Sequence, residues 1–508
     1  MIVVNLKVDK YKYDIHSLIK AFYPDKDIKM VLPDEEEAHS DEGQIEIDID
    51  NNEENGSLSM VIKHPEGDNT FMDIKCLKKD FDCSNTDGFK DGAADGLQTP
   101  KNAMKQLIYL MLSKETGQTL PWGTLTGIRP TKIAMKVLEN GGSKDDIRKY
   151  MKDTYFTSDE KIDVSIKIAQ REKQILDNID YKNGYSLYIG IPFCPTTCMY
   201  CSFTSFPIGL WKNKVDDYIE CLKKEIDYVA EDFRDKKLCS VYIGGGTPTT
   251  LEPDQMERLL GYVEKRLDLS YMKELTVESG RPDSITREKL RAMKKHGVNR
   301  ISVNPQTMRD ETLKFIGRCH TVSQFVDAYH MAREEGFDNI NMDIILGLPG
   351  EGVEDIRYTM QEIEKLGPDD LTVHSLALKR GSRLYEQMKL KGVVETTNTD
   401  EMMNIAAQGA ARMGLSPYYL YRQKNMTGNF ENTGYARDDK AGIYNMLIME
   451  DLHSIVALGT GTVTKRIYMD EATNEQTGRI ERCDNVKDVA LYMAKIDEMI
   501  ERKKKLFS

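Results

Sequence analysis

No apolar run in this chain approaches the length that spans a membrane, so a transmembrane anchor is not expected. The first residues, MIVVNLKVDKYKYDIHSL, lack the charged-then-apolar pattern of a secretion signal and the bias of a transit peptide. A cytoplasmic protein is the expectation. Positive charge is in deficit: 70 Lys and Arg stand against 83 Asp and Glu, a net −13 at neutral pH. A general nucleic-acid binder needs a basic surface, so that class is not expected. Repeats and low-complexity tracts are absent. So is a disulfide framework, because the nine cysteines are odd in number and scattered over 508 residues. What remains is ordinary globular composition, 40% hydrophobic and 30% charged, long enough for two or three domains.

The pattern along the chain divides it into three. Residues 1–180 read as an accessory α+β region. MIVVNLKV, GQIEIDID, LSMVIKH and MDIKCL alternate like short strands, with the acidic loop DEEEAHSDEG among them. TPKNAMKQLIYLMLSKETG predicts a helix capped by Thr99, with Pro100 at its first position and Gly117 at its end. A second helix enters at Pro130, and TSDEKIDVSIKIAQREKQILDNI predicts a long one. Residues 181–385 change to strand, loop, helix, repeated. SLYIGI, SVYIGG, ELTVES, RISVNP, NINMDIILGL and LTVHSLAL are six strand candidates separated by helical segments. That alternation predicts an α/β fold with a parallel sheet, open or curled into a partial (β/α)6 barrel. Ligands of such folds sit at the C-terminal ends of the strands. Residues 386–508 form a smaller C-terminal region that starts with a helix near TDEMMNIAAQGAARMG.

The segment FCPTTCMYCSF crowds Cys194, Cys198 and Cys201 into eight positions. Structural zinc wants four ligands, and no paired Cys-x-x-Cys or His-x-x-His lies nearby. A thioredoxin-like pair needs only two thiols. A [4Fe–4S] cluster held by three cysteines leaves one iron open for a ligand. Zinc-bound or unliganded cysteines are the plain alternative. About forty residues on, VYIGGGTPTTL places Gly244, Gly245 and Gly246 before Thr247 at a strand end. Such a turn exposes backbone groups to a ligand at close range. A simple strand-to-helix turn is its plain alternative. Most of the isolated cysteines, Cys76, Cys83, Cys221, Cys239, Cys319 and Cys483, read as small buried hydrophobes.

Cys-x3-Cys-x2-Cys, with Tyr200 before the last cysteine, resembles the signature of radical S-adenosylmethionine (radical SAM) enzymes. YIGIPFC, YIGGGTPT, LTVES, RISVNPQT, IGRCHT and NMDIILGLPGE together resemble the oxygen-independent coproporphyrinogen III oxidase family over residues 184–385. LTGIRPTK and YRQKNMTGNFENTGYA resemble its HemZ-type branch. The resemblance implies that Cys194, Cys198 and Cys201 hold a [4Fe–4S] cluster whose open iron binds S-adenosyl-L-methionine. It implies that Tyr188 and Tyr200 flank that cofactor and that Gly245, Gly246 and Thr247 bind its methionyl end. Glu278 would contact the cofactor or polar groups on the substrate side. Gln306, Arg318, Asp343 and Ala377 match positions that hold a second cofactor molecule in the family's oxidases. Glu278 and Asp343 also suit helix caps, and Arg318 a surface ion pair.

The activity implied is oxidative decarboxylation of coproporphyrinogen III to protoporphyrinogen IX, with a tetrapyrrole substrate and a flavodoxin or ferredoxin as reductant. A tetracarboxylate needs cations, and LKRGSR and YRQKN offer Lys379, Arg380, Arg383, Arg422 and Lys424. Two positions depart from the resembled oxidases. Gly190 stands where they carry a histidine, and Ser202-Phe203 where they carry Gly-Cys. The second departure is shared with the haem-chaperone branch, so a haem-binding chaperone on the same scaffold is the alternative reading. His320 and His374 would be its candidate iron ligands. Another radical reaction on a tetrapyrrole, such as reductive haem ring opening, is a third.

Overall fold

A computed structural model describes residues 1–6, 11–24, 26–32, 45–52, 57–63, 70–75, 99–127, 129–379, 381–391, 396–423, 430–470, 473 and 476–508. The acidic loop DEEEAHSDEG, Cys76, Cys83, Arg380 and Lys424 lie outside these residues, as does part of each HemZ-type motif. The chain packs as two units, Met1–Gln170 and Arg171–Ser508. Among the described residues no helix is long and apolar enough to cross a membrane.

The first unit carries a five-stranded sheet, in spatial order Ile28–Val31, Ile2–Leu6, Ile45–Asn52, Ser57–Lys63 and Thr70–Lys75. The first three run parallel and the last two add as antiparallel hairpins. The expected strands are all present. Ile28–Val31 and the helix Lys12–Phe22, which links it to the first strand, were not expected. The helix Pro100–Thr116 starts where predicted. The Thr99 hydroxyl accepts from the Asn102 amide at 3.2 Å, and Gly117 ends the helix at φ 66°. Its Ile108, Met111 and Leu112 join Leu18, Ile19 and Phe22 in a core against the sheet's Ile2, Val4, Ile47 and Ile62.

The second unit is built on eleven strands: β1 (Gly184–Ile191), β2 (Lys237–Gly245), β3 (Glu274–Glu278), β4 (Arg300–Ser302), β5 (Ile340–Leu346), β6 (Asp370–Ser375), β7 (Ser416–Tyr421), β8 (Asn432–Ala436), β9 (Ser454–Leu458), β10 (Val463–Met469) and β11 (Gln476–Asp484). Their spatial order is β7-β8-β6-β5-β4-β3-β2-β1-β9-β10-β11. The six expected strands are thus parallel neighbours in chain order, each separated by helical crossovers, with no closure of the first onto the last. This is the partial (β/α)6 barrel. Both faces of its strands are buried, which is why they read as near-continuous apolar runs. Residues beyond 386 extend the same sheet at both edges. β8 pairs antiparallel with β6 and β7 pairs antiparallel with β8, while β9 adds parallel beside β1.

The floor of the barrel comes from the helix Ile443–Glu450. Glu274, the first residue of β3, accepts from the amides of Ile443 at 2.6 Å and Tyr444 at 3.3 Å. A carboxylate on the first free amides of a helix both caps it and complements its dipole. Tyr444 then stacks on Tyr242 of β2 with ring centroids 4.6 Å apart.

Candidate active site

The C-terminal ends of the parallel strands open into one cavity of about 380 Å³. β1 delivers the cysteine loop to its rim. The loop is tied at its start, where the amides of Gly246 and Thr247 donate to Ile191 O and Phe193 O at 2.8 and 2.7 Å. Phe193 and Cys194 also pair alongside Phe206 and Pro207. Cys194, Cys198 and Cys201 are free thiols, the first two buried and the third half-buried, and all line the cavity. Thr247 Oγ1 donates to Cys194 Sγ at 3.4 Å, and Arg281 Nη1 donates to Cys198 Sγ at 3.6 Å. Burial pushes the thiols of Cys194 and Cys201 above the ordinary cysteine value. They ionise when a bound cation supplies compensating charge. Among the described residues no three His, Cys, Asp or Glu side chains close on one point as a single metal ion requires. A four-iron cluster instead takes each thiolate on a different iron, and the donor set fits one.

The glycine turn does more than face a ligand. Gly245 adopts φ 107°, a conformation open to glycine. A Cβ on Gly246 would stand 2.7 Å from Phe193 O and 3.0 Å from Cys194 Sγ, so this glycine is needed to seat the cysteine loop itself. Glu278 ends β3 and receives the Tyr242 hydroxyl at 2.6 Å. Burial drives its carboxyl up to about 7, against the lowering effect of that hydrogen bond. It caps no helix.

Arg318 and Asp343 are not surface groups either. Arg318, 9% exposed, donates to Gly280 O at 2.7 Å and to the Tyr200 hydroxyl at 3.0 Å. Its Nε has no partner among the described residues. Asp343 accepts from Asn304 and Asn341, each at 2.7 Å. Burial works to raise it, but the nearby His374 and the Asn341 amide hold it below its ordinary value. Gln306 is buried at φ 67°, with its amide donating to Asp343 O and its carbonyl accepting from Ile345, both at 2.9 Å. A glutamine in the left-handed region is uncommon, and strain of this kind gathers at ligand sites.

Of the predicted site residues, the three cysteines, Tyr200, Gly245, Gly246, Thr247, Glu278, Gln306, Arg318, Asp343 and Ala377 all line this cavity. Tyr188 does not. It stacks behind Tyr242, centroids 6.0 Å apart, and so reaches the cavity through that ring. Lys379 lines the cavity, while Arg383 is spent on Thr197 O and Arg422 is buried off the lining. His374 lines the cavity, 3.8 Å from Asp343. His320 does not, and burial lowers it to about 4. Sequence reasoning missed Arg281, Tyr242, Asn304 and Asn341. It also missed Tyr419, Tyr421, Asn432 and Asn445, which the C-terminal region contributes. Arg281, two residues past Ser279, is the one with a readable signal: a cation just after the β3 end.

The family model of the Radical SAM superfamily matches residues 188–363. The oxygen-independent coproporphyrinogen-III oxidase-like protein HemZ of Bacillus subtilis is 40% identical over 416 residues, which cover 80% of this chain and 82% of that protein. The chain belongs to this HemZ-type family. HemZ-type chains are thus radical SAM proteins, and the cofactors of that superfamily are a [4Fe–4S] cluster and S-adenosyl-L-methionine. The heme chaperone HemW of B. subtilis is 34% identical over 205 residues, 40% of this HemZ-type chain and 53% of that one. Among solved structures, coproporphyrinogen III oxidase (HemN) from Escherichia coli is similar at 21% identity and a TM-score of 0.48, covering 65% of this chain and 73% of that one.

Proposed function

We propose that the chain catalyses oxidative decarboxylation of coproporphyrinogen III to protoporphyrinogen IX. The reading rests on one observation: the thiols, the glycine turn and the second polar set of Gln306, Arg318 and Asp343 line a single cavity. When bound, the cluster and S-adenosylmethionine supply the one-electron chemistry that removes hydrogen from an unactivated carbon. Cys194, Cys198 and Cys201 hold the cluster. Gly245, Gly246 and Thr247 present backbone and hydroxyl groups to the cofactor. Glu278, poised near neutrality, holds or releases a proton beside Tyr242 Oη. Arg318 is oriented by Gly280 and Tyr200 and offers its remaining edge to a carboxylate. Lys379 adds a second cation for propionates.

Residues 386–508 act as the substrate-covering region, since Tyr419, Tyr421, Gln423, Asn432, Asn445 and Met449 complete the cavity wall. Residues 181–385 are the radical SAM core, and residues 1–180 an accessory region. A cytoplasmic flavodoxin or ferredoxin is the proposed reductant. The test is anaerobic incubation of the reduced protein with S-adenosylmethionine and coproporphyrinogen III, with products separated by chromatography. Tri- and dipropionate products are expected. Tight haem binding with no decarboxylated product would overturn the reading in favour of a haem chaperone.

A further inference from the structure

The cysteine loop is gripped from behind by the last fifty residues of the chain. β9 runs parallel to β1 with Leu458 opposite Ile189, so the turn Gly459–Thr462 emerges beside Gly190, at the cavity end of the sheet. Contact there is too close for side chains. A Cβ on Gly459 would lie 2.5 Å from Gly190 O, and a Cβ on Gly190 would lie 2.6 Å from Thr462 Cγ2. A side chain at position 190 and this turn therefore exclude each other. Gly461, at φ 68°, rests against Thr204, three residues past Cys201, where a Cβ would stand 3.2 Å away.

Directional bonds hold the turn. Tyr218 donates its hydroxyl to Gly190 O at 2.7 Å and accepts from the Thr460 amide at 3.0 Å. Glu225, fully buried, accepts from the Gly459 amide at 2.8 Å and from the Tyr492 hydroxyl at 2.5 Å. Its other oxygen accepts from Lys503 Nζ at 2.6 Å and Asn485 Nδ2 at 3.0 Å. Lys503 is buried as well, and also donates to Asn485 Oδ1 at 2.7 Å. A buried ion pair is a costly way to gain stability alone, and its best-attested use is to fix one arrangement. The arrangement fixed here is the position of Gly459–Thr462.

We propose that Gly459–Thr462, anchored by Glu225 and Lys503, is a positioning element for the cysteine loop, setting the thiol spacing in which a cluster is retained. The proposal rests on the assignment of Cys194, Cys198 and Cys201 as cluster ligands. Supporting groups around metal ligands are typically worth about ten- to a hundredfold in retention.

Substituting Lys503 risks the fold, so the test acts at the contacts. Gly190→Ala presses on Thr462, and Gly461→Ala presses on Thr204. Each chain is reconstituted anaerobically with iron and sulfide, then challenged with a ferrous chelator while the cluster absorbance is followed. Both variants should lose the cluster about tenfold faster than wild type, and each metal-free chain should also melt somewhat lower, Gly190→Ala from the Thr462 contact and Gly461→Ala because alanine is strained at φ 68°. Adding Thr462→Ser to Gly190→Ala removes the opposed methyl, keeps the hydroxyl bond to Gly459 O, and should restore retention. A merely structural contact would shift melting and not chelation. Wild-type chelation rates in both alanine variants, or no rescue by Thr462→Ser, would overturn the proposal alone. A wild-type chain that takes up no cluster would overturn the ligand assignment, and this proposal with it.

Discussion

Two buried glutamates, Glu225 on the helix Val215–Asp232 and Glu278 at the end of β3, are treated in opposite ways. Glu225 receives four donors, two on each oxygen, one of them a buried ammonium. Glu278 receives the Tyr242 hydroxyl and a Gly245 amide, with no cation in contact among the described residues, and burial drives it up to about 7. The chain thus completes one carboxylate from its own groups and leaves the other short. A saturated carboxylate can only hold structure. One left short, on a cavity wall, has capacity for a ligand or a proton.

The sharpest way to break this comparison lies on the cavity side. Cys198→Ala should abolish the cluster outright, because three ligands leave none in reserve; iron and sulfide analysis checks it. Gly246→Val should also lose it, since the new side chain meets Phe193 O and Cys194 Sγ. Next in size is Lys503→Met. It strands the Glu225 charge in the interior, and denaturant unfolding should show a loss of about 3–5 kcal/mol. Glu225→Gln added to Lys503→Met should recover much of it.

Glu278 gives a smaller, pH-dependent effect. Its carboxyl titrates near 4.5 when unfolded and about 7 when folded. Between those values the folded chain keeps a proton that the unfolded chain has released. The protonated form's contribution is therefore full below about pH 4.5 and is lost as pH rises to about 7, a fall of about 1–3 kcal/mol. Glu278→Gln should flatten that slope in metal-free protein, as urea titrations at several pH values would show. Tyr242→Phe removes the lowering hydrogen bond and should move the midpoint higher. Smallest of all, Cys319→Ala, at an exposed thiol, should change stability by less than about 0.5 kcal/mol and leave iron content intact.

The barrel strands were legible because parallel strands buried on both faces concentrate β-branched and apolar residues between helical periods. The start of one helix was legible where a hydroxyl stands before the first turn, at Thr99. The thiols and glycine turn were legible because their neighbours in space are neighbours in sequence. The remaining wall was not. Asn304, Asn341, Tyr419 and Asn445 carry no local pattern, and only the sheet order brings them to one cavity. Tyr188 is set back from the lining for a related reason. It sits in β1 at the expected place, but the ring of Tyr242 stands in front of it. β9 was equally hidden, because five apolar residues cannot announce which strand they will join.

That late partner has a consequence for how the molecule is made. β1 begins at Gly184 and β9 at Ser454, so the edge of β1 stays unpaired until some 270 residues have been synthesised after it. Pairings this distant in sequence form late, since loop closure must precede any contact. The cysteines leave the ribosome long before their backing exists. On the proposed role of that turn, durable metal loading follows the synthesis of β9, and a chain clipped ahead of Ser454 would present three thiols without their backing.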